Sequence, residues 1–222
     1  MEILNKKNRI LPPEKSFSKR LTALFRNLPS SQVDEFVQRL IYNSTTEYYE
    51  KNSVVGAKIS EQHKFMYFVY SGVAHSFIRH PKYKDQAITK KIWTKNKIIF
   101  DFNGYLNGTA ATETTQMLEG GHLVSISSDS LRTLIHEHPK MMCFLTQLQT
   151  EHLLELQAQI ELLKLPVMEK VTAFVKDHPS LIHRINNNVI ATLLHTHRSR
   201  FSTAIKGYKI SDNGTTTSKS RY

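Results

Sequence analysis

Cysteine is nearly absent from this chain of 222 residues, because Cys143 is the only one. A lone thiol excludes an internal disulfide, an iron-sulfur cluster held by four thiolates and a zinc site built on a Cys-x-x-Cys pair. The sequence also has no run of eighteen apolar residues, and its first fifteen residues lack the apolar core and cleavage site of a signal peptide. We therefore expect a cytoplasmic protein with no membrane partner.

Motifs of catalysis are missing as well. The chain has no Gly-x-Ser-x-Gly, no glycine loop that would cradle a phosphate and no paired helical carboxylates. Among the eleven histidines, His136 and His138 are two apart on a predicted helix and would point about 200° apart. His75 and His80 lack the His-x-His plus Glu spacing of metal-dependent jelly-roll enzymes. We expect no catalytic residue, no metal and no cofactor, and we do not expect an enzyme.

Acidic residues are scarce where basic residues gather. Residues 164–222 hold ten Lys and Arg against three Asp and Glu, whereas residues 61–163 hold ten of each. Most of the formal net charge of +11 therefore lies in the C-terminal part of the chain. Lys219 and Arg221 fit a solvated tail, but the remaining surplus is typical of a surface that neutralises phosphates. The charge distribution favours a nucleic-acid partner.

Residues 187–206 (NNVIATLLHTHRSRFSTAIK) are the most informative segment. Two short helices joined by a turn at His195 would pack through five small or apolar residues: Ile190, Ala191, Leu194, Phe201 and Ala204. A helix-turn-helix needs a small residue where the helices cross and apolar residues behind the second helix. The spacing therefore predicts a DNA-reading unit, with an ordinary antiparallel helix pair as the alternative.

The other face of the second helix is polar, and we expect His197 to begin that helix. Residues on its first exposed turns would meet base edges, and we assign that role to Arg198, Ser199 and Thr203. Residues around them would contact the DNA backbone and position the protein without specifying sequence. These predicted backbone contacts are His197, Arg200, Ser202, Lys206 and Lys209.

The N-terminal half of the chain reads as two helices followed by short strands. Pro12-Pro13 predicts a flexible arm over residues 1–17. Helices are predicted at 18–28 and 31–40, the second capped by Ser30 or Ser31 and apolar at Val33, Phe36, Val37 and Leu40. Strands are predicted at 53–59, 65–70, 73–78, 87–93, 97–102, 113–118 and 122–127, with turns at 71–72, 103–104 and 120–121. This pattern predicts an antiparallel sandwich or roll.

A helix is predicted at 129–137, and a longer one runs from Pro139 to Lys164. One apolar seam on the longer helix favours self-association: Leu153, Leu156, Ile160 and Leu163. A second stripe would face the strand domain: Phe144, Leu145, Leu148 and Leu162. The alternative is a helix that lies wholly on its own sheet. Leu165-Pro166 ends the helix, a further helix spans 167–177, and residues 210–222 are predicted to be a mobile polar tail.

This order of elements resembles the Crp/Fnr family, the cAMP receptor protein-like transcription regulators, over about residues 18–209. The resemblance rests on YEKNSVV (49–55), YFVYSG (67–72), MLEGGHLVSISSDSLRTLIHEHP (117–139), LPVMEKVTAFVKDHP (165–179) and the 187–206 segment. It implies an α+β fold with a cyclic-nucleotide-binding-like β-roll at 18–138, a dimerisation helix at 139–164 and a helix-turn-helix domain at 165–209. It also implies a homodimer that binds a palindromic operator in double-stranded DNA, with RNA polymerase as a further partner.

The predicted effector pocket departs from the nucleotide-binding members of that family, which carry an Arg that pairs with the cyclic phosphate. The corresponding residues 100–118 contain no Arg or Lys, so a cyclic phosphate would lack its strongest hydrogen bonds. The degenerate pocket would be lined by Phe100, Asp101, Phe102, Ala111, Thr112 and Glu113. We therefore expect no response to cAMP, and the sequence does not identify an effector.

One alternative of a different class stays open. The chain would then be a cupin-like β-roll protein that binds a small molecule or a metal, with a helical tail that is only structural. Ligand binding would then survive deletion of residues 166–222, whereas DNA binding would be lost. His75 as a haem ligand, as in some gas-sensing relatives, is a further alternative that the Soret absorption would test.

Overall fold

The computed structural model describes residues 12–25, 28–56, 64–79, 82 and 86–216, with the backbone alone at 12–14 and 209–216. These residues form two compact units. The first contains the described residues up to Ala74 and Trp93–Glu151, and the second contains His75–Ile92 and the described residues from His152 onward. Helices and antiparallel strands build both units, which confirms the predicted α+β class. The predicted domain boundaries stay predictions.

Helix α1 spans Pro12–Leu24 and helix α2 spans Ser30–Tyr42. The predicted flexible arm is therefore wrong for residues 12–17, and its residues 1–11 lie outside the described part of the chain. Proline suits the first turn of a helix because its φ is preset and its missing N–H would have no partner there. Burial of Phe17 and Leu21 then anchors α1 in the first unit.

Helix α2 buries the four apolar residues that the sequence predicted: Val33, Phe36, Val37 and Leu40. The predicted serine cap is wrong. Pro29 precedes the first helical residue and no side chain caps the helix. The carbonyl of Pro29 instead accepts hydrogen bonds from the backbone N–H groups of Gln32 at 3.0 Å and Val33 at 3.1 Å.

Four strands form the first antiparallel sheet, in the order β1-β7-β2-β5. They are β1 (Ser44–Tyr49), β2 (Phe65–Val69), β5 (Ile98–Ile99) and β7 (Gly121–Ser127). Strand β1 pairs with β7 from Ser44 opposite Ile126 to Tyr49 opposite Gly121. The sequence did not predict β1, because the run STTEYY has no apolar alternation and is never fully buried.

Three more strands form a second sheet, in the order β4-β3-β6. They are β3 (Val73–Arg79), β4 (Ala87–Trp93) and β6 (Thr114–Glu119). The strand predicted at 53–59 is reduced, within its described residues 53–56, to an isolated bridge between Val54 and Gln116. The predicted turn at 71–72 is confirmed, with Gly72 at a φ of 86°.

Two clusters of buried side chains form the core of the first unit. One joins α1 and α2 to the first sheet, to helix α4 (Ser128–Glu137) and to the start of helix α5 (Met142–Lys164). The other consists of buried residues from strands of both sheets and includes Tyr67, Trp93, Met117 and Leu123. A turn of 3-10 helix at Pro139–Met141 precedes α5. Phe144, Leu145 and Leu148 of α5 are buried in the first cluster.

Helix α3 (Phe102–Asn107) replaces the turn predicted at 103–104. The Asp101 carboxylate accepts a hydrogen bond from the Gly104 backbone N–H at 3.0 Å, which caps the helix. Asp101 thus caps the start of α3, and Gly108 follows its last residue with a φ of 66°.

The second unit contains four further helices: α6 (Val167–Asp177), α7 (Leu181–Arg184), α8 (Asn187–Leu193) and α9 (Arg198–Thr216). Helix α6 matches its predicted span. The predicted mobile polar tail at 210–222 is helical as far as Thr216, because α9 extends to that residue, and its residues 217–222 lie outside the described part of the chain. Packing of Phe201, Ala204 and Ile205 nucleates α9, and each further residue then adds one backbone hydrogen bond at low cost.

Candidate nucleic-acid interface

Helices α8 and α9 form the bihelical unit that the spacing predicted. Its five packing residues are all buried: Ile190, Ala191, Leu194, Phe201 and Ala204. Leu193 and Ile205 are buried beside them. Asn186 caps α8, since its side-chain oxygen accepts a hydrogen bond from the Asn188 backbone N–H at 2.8 Å. The apolar side of the α8–α9 unit is thus buried, and its polar side is exposed to solvent.

The turn between the two helices is a Schellman motif. The backbone N–H of Thr196 donates to the Ala191 carbonyl at 2.9 Å, and that of His195 donates to the Thr192 carbonyl at 3.1 Å. This motif requires a left-handed residue, and His195 supplies it with a φ of 48°. Burial, followed by the charges of Lys90 and Lys170, lowers the pKa of the His195 imidazole. The neutral imidazole is therefore favoured at this turn.

Helix α9 begins at Arg198, one residue later than predicted. His197 is instead the residue before the helix, and its ring caps the first turn. The Nδ1 atom accepts a hydrogen bond from the Ser199 backbone N–H at 3.3 Å and lies 2.8 Å from the Ser199 hydroxyl oxygen. A ring nitrogen thus takes the place that a serine or aspartate oxygen usually has at a helix N-terminus.

Cations dominate the exposed side of α9. Arg198, Arg200 and Lys206 are exposed, and residues 187–208 contain no Asp or Glu. Within the described residues, no carboxylate forms a salt bridge with any of these three side chains. Arg198 and Lys206 lie about 80° apart around the helix, whereas Arg200 points about 160° away from Arg198. Three exposed cations on the first turns of one helix suit contact with a polyanion.

The hydroxyl groups on this face already bond to the protein. The Thr203 hydroxyl donates to the Ser199 carbonyl at 3.1 Å, and the Ser199 hydroxyl contacts His197. Ser202 is only partly exposed, and the side chain of Lys209 lies outside the described part of the chain. Arg198 is therefore the predicted base-reading residue whose donors are most available, and the other assigned roles stay predictions.

Aromatic side chains pack against one another in the segment predicted to form the effector pocket. Phe100 is buried, and its ring centroid lies 4.8 Å from that of Phe102 and 5.2 Å from that of Tyr105. Asp101 caps α3. Ala111 and Glu113 are partly buried, and Thr112 is exposed. The role of these six residues in binding an effector stays a prediction.

Arg132, which was not predicted from the sequence to lie near the effector pocket, contacts residues 100–118. A guanidinium nitrogen of Arg132, on α4, donates to the Tyr105 carbonyl at 2.6 Å, and the guanidinium carbon lies 4.8 Å from the Tyr105 ring centroid. Burial raises the pKa of Tyr105, although the Arg132 charge opposes that effect. Arg132 also pairs with Asp129 at 3.1 Å. Its donors are thus engaged within the protein.

The space between the sheets is also filled by protein side chains. Tyr67, Met117 and Leu123 are buried there. The Tyr49 hydroxyl donates to a Glu47 carboxylate oxygen at 3.3 Å, and burial, then the Glu47 charge, raises the pKa of Tyr49.

The predicted dimer seam is exposed on the second half of α5. The exposed fractions are 55% for Leu153, 53% for Leu156 and 47% for Ile160, whereas Leu163 is partly buried. Large apolar side chains so exposed at helical spacing indicate a surface that another protein covers. The dimer itself stays a prediction.

Histidines and the lone cysteine form no metal site in the part of the chain that the structure describes, where no three His, Cys, Asp or Glu side chains could hold an ion. His75 is buried in β3, its Nδ1 lies 3.2 Å from the Thr89 hydroxyl oxygen and its ring stacks on Phe77. His80 lies outside the described residues. Burial raises the pKa of the Cys143 thiol. No described helix has the length and apolar content needed to cross a membrane.

Neither a protein-family model nor a curated protein sequence matches this chain. Solved structures do match. FixK2 from Bradyrhizobium japonicum superposes with a TM-score of 0.66 at 14% identity, over 76% of this chain and 86% of that chain. The c-di-GMP-responsive global regulator CLP from Xanthomonas campestris superposes with a TM-score of 0.63 at 14% identity, over 82% of this chain and 93% of that chain.

A protein from Eubacterium rectale that is assigned to the crp/fnr family of transcriptional regulators also matches. Its TM-score is 0.64 at 13% identity, over 85% of this chain and 87% of that chain. The expected resemblance is confirmed at the level of the fold, and this chain folds as the solved Crp/Fnr regulators do.

Proposed function

We propose that this protein is a sequence-specific DNA-binding transcription regulator of the Crp/Fnr type that acts as a homodimer. The observation that carries the proposal is the set of exposed cations on the first turns of α9, Arg198, Arg200 and Lys206, with which no carboxylate of the described residues forms a salt bridge. Duplex DNA is the polyanion that such a helix reads in its major groove. The shared fold with solved regulators supports the same conclusion.

Self-association follows from α5. Water-exposed Leu153, Leu156 and Ile160 lie on one stripe of the helix, and a second copy of the same stripe is the complementary surface for a two-fold coiled-coil contact. A two-fold dimer presents two reading helices. Its operator would therefore be palindromic, with half-sites about one helical turn of roughly 34 Å apart.

Cyclic AMP is not the effector in this proposal. Residues 100–118 provide no cation, Arg132 is engaged by Tyr105 and Asp129, and aromatic rings fill the segment. A cyclic phosphate would have to displace these contacts and would gain no charge-assisted hydrogen bond from the segment itself. We propose no effector.

Selection from a random duplex library tests the proposed function. Purified protein should enrich a palindromic sequence, and the triple variant Arg198→Ala, Arg200→Ala, Lys206→Ala should enrich none. Lys176→Ala is the matched control, because Lys176 is an exposed lysine near the C-terminus of α6 rather than on α9, and it should enrich the same sequence as the unchanged protein. Absence of duplex binding by the unchanged protein at low salt would overturn the proposal.

A further inference from the structure

Three basic side chains from separate elements interact electrostatically at the turn between α8 and α9. They are Lys90 on β4, Lys170 on α6 and His195 in the turn itself. Lys90 and Lys170 are close enough to His195 that their charges lower the pKa of its imidazole, in addition to the larger effect of burial. None of the three belongs to the exposed reading face of α9.

Hydrogen bonds hold β4 against α8 and so place Lys90 at the turn. The Thr192 hydroxyl donates to the Thr89 hydroxyl oxygen at 3.2 Å and lies 3.4 Å from the Thr89 backbone nitrogen, which donates to it. The Gln159 side chain of α5 donates to the Lys90 carbonyl at 3.1 Å. These bonds fix the backbone on both sides of the Lys90 side chain.

The charges of the cluster are not balanced by acids. Lys170 is 6% exposed, so most of its side chain packs against the protein. In the described residues no carboxylate forms a salt bridge with Lys90 or Lys170, whereas the neighbouring Lys91 pairs with Glu155 at 2.5 Å. An anion from outside the chain would balance the cluster.

We propose that Lys90, Lys170 and His195 form a phosphate-binding site that takes a backbone phosphodiester of the bound DNA duplex. This inference rests on the proposed function. His195 is three residues from Arg198, so the Cα atoms of the two residues lie at most about 10 Å apart. The major groove is about 12 Å wide, so a phosphate on its wall lies within reach of the cluster when Arg198 meets the bases. The β3–β4 hairpin thus contributes to the DNA surface.

The salt dependence of duplex affinity tests the site in the full-length protein. Each phosphate contact adds about 0.9 to the slope of log K against log salt, so Lys90→Ala should lower the slope by about one. Between 50 and 200 mM salt the affinity of the Lys90→Ala variant for duplex should fall by a factor about 3.5 times smaller than that of the unchanged protein. Lys90→Gln should behave likewise, and Lys90→Arg should restore the slope. The control Lys91→Ala should leave the slope unchanged.

Titration of His195 by NMR gives a second readout. Lys90→Ala should raise the pKa of His195 in the free protein, because a repelling charge is removed, and duplex should raise it further in the unchanged protein. If the unchanged protein binds duplex but the slope is the same in Lys90→Ala, the site is wrong and the proposed function stands. If inorganic phosphate raises the pKa of His195 while the slope stays unchanged, the site takes a free anion and the DNA assignment is wrong. No duplex binding by the unchanged protein overturns both.

Discussion

Two properties of His195 destabilise the folded chain: the conformation of its backbone and the lowered pKa of its imidazole. Its φ of 48° is the left-handed conformation that glycine adopts without strain. Burial and the charges of Lys90 and Lys170 lower the pKa of its imidazole. The unfolded chain therefore binds more protons than the folded chain between that lowered pKa and the ordinary value near 6.5. His195 lowers the free energy of unfolding as pH falls through this range, and it has no such effect above about pH 7.

Replacement of His195 by glycine should relieve the backbone strain. We expect the free energy of unfolding at pH 7 to rise by about 1 kcal/mol, measured by urea unfolding, and the share of the pH dependence due to His195 to disappear. Arg200→Gly is the control, because a glycine in an exposed helix interior should cost about 1 kcal/mol. Equal losses in both variants would show that the left-handed turn is not strained.

Arg198 and Lys206 should differ in what they contribute to DNA binding. Arg198→Ala should cost about 1–3 kcal/mol on the preferred duplex and flatten the base preference, because a guanidinium can bond two acceptors of guanine. Lys206→Ala should weaken all duplexes equally and lower the salt slope by about one. Titrations of matched and mismatched duplexes separate the two effects. Uniform weakening by both variants would remove Arg198 from the base-reading role.

At the scale of elements, α5 has two different environments. Its first turns bury Phe144, Leu145 and Leu148 in the core of the first unit. Its later turns leave Leu153 and Leu156 more than half exposed, at 55% and 53%. Both stripes could be predicted from apolar spacing, because spacing reports which residues share a face. Spacing does not report what covers that face, and so the partner stays a proposal.

The exposed apolar stripe on α5 leads to a prediction about the molecular mass of the protein in solution. Leu156→Glu combined with Ile160→Glu should bury unpaired charge in a dimer contact and yield monomers. Analytical ultracentrifugation measures the change. Ala158→Glu is the control, because residue 158 lies about 180° around the helix from the centre of the stripe and should leave the mass unchanged. A dimeric double variant would place the dimer contact elsewhere.

Local patterns predicted some elements and missed others for identifiable reasons. Helix α2 and the α8–α9 unit were predicted because their apolar residues recur at helical spacing. Strand β1 was missed because STTEYY carries no apolar alternation, and α3 was missed because Asn103-Gly104 is typical of a turn while the Asp101 cap acts three residues away. The cluster at Lys90 could not be predicted, because Thr89 and Thr192 are 103 residues apart.

At the scale of the whole molecule, the lack of Lys and Arg in residues 100–118 leads to a prediction about cyclic nucleotides. Calorimetry with millimolar cAMP or cGMP should give no binding heat, because residues 100–118 offer no cation. Micromolar affinity would contradict this. Arg132→Ala would then be the informative variant: loss of that affinity would show that Arg132 leaves Tyr105 to pair with the phosphate.

The hydrogen bonds between Thr89 and Thr192 also bear on synthesis. The second unit is discontinuous along the chain, since His75–Ile92 packs with residues that follow His152. A ribosome releases Thr89 103 residues before Thr192, and closing so long a loop carries an entropic cost that must be met before the contact forms. The α8–α9 unit therefore reaches its final packing only late in translation. A fragment that starts at residue 165 lacks Lys90, and we expect any duplex binding that it retains to have a shallower salt dependence than that of the intact chain.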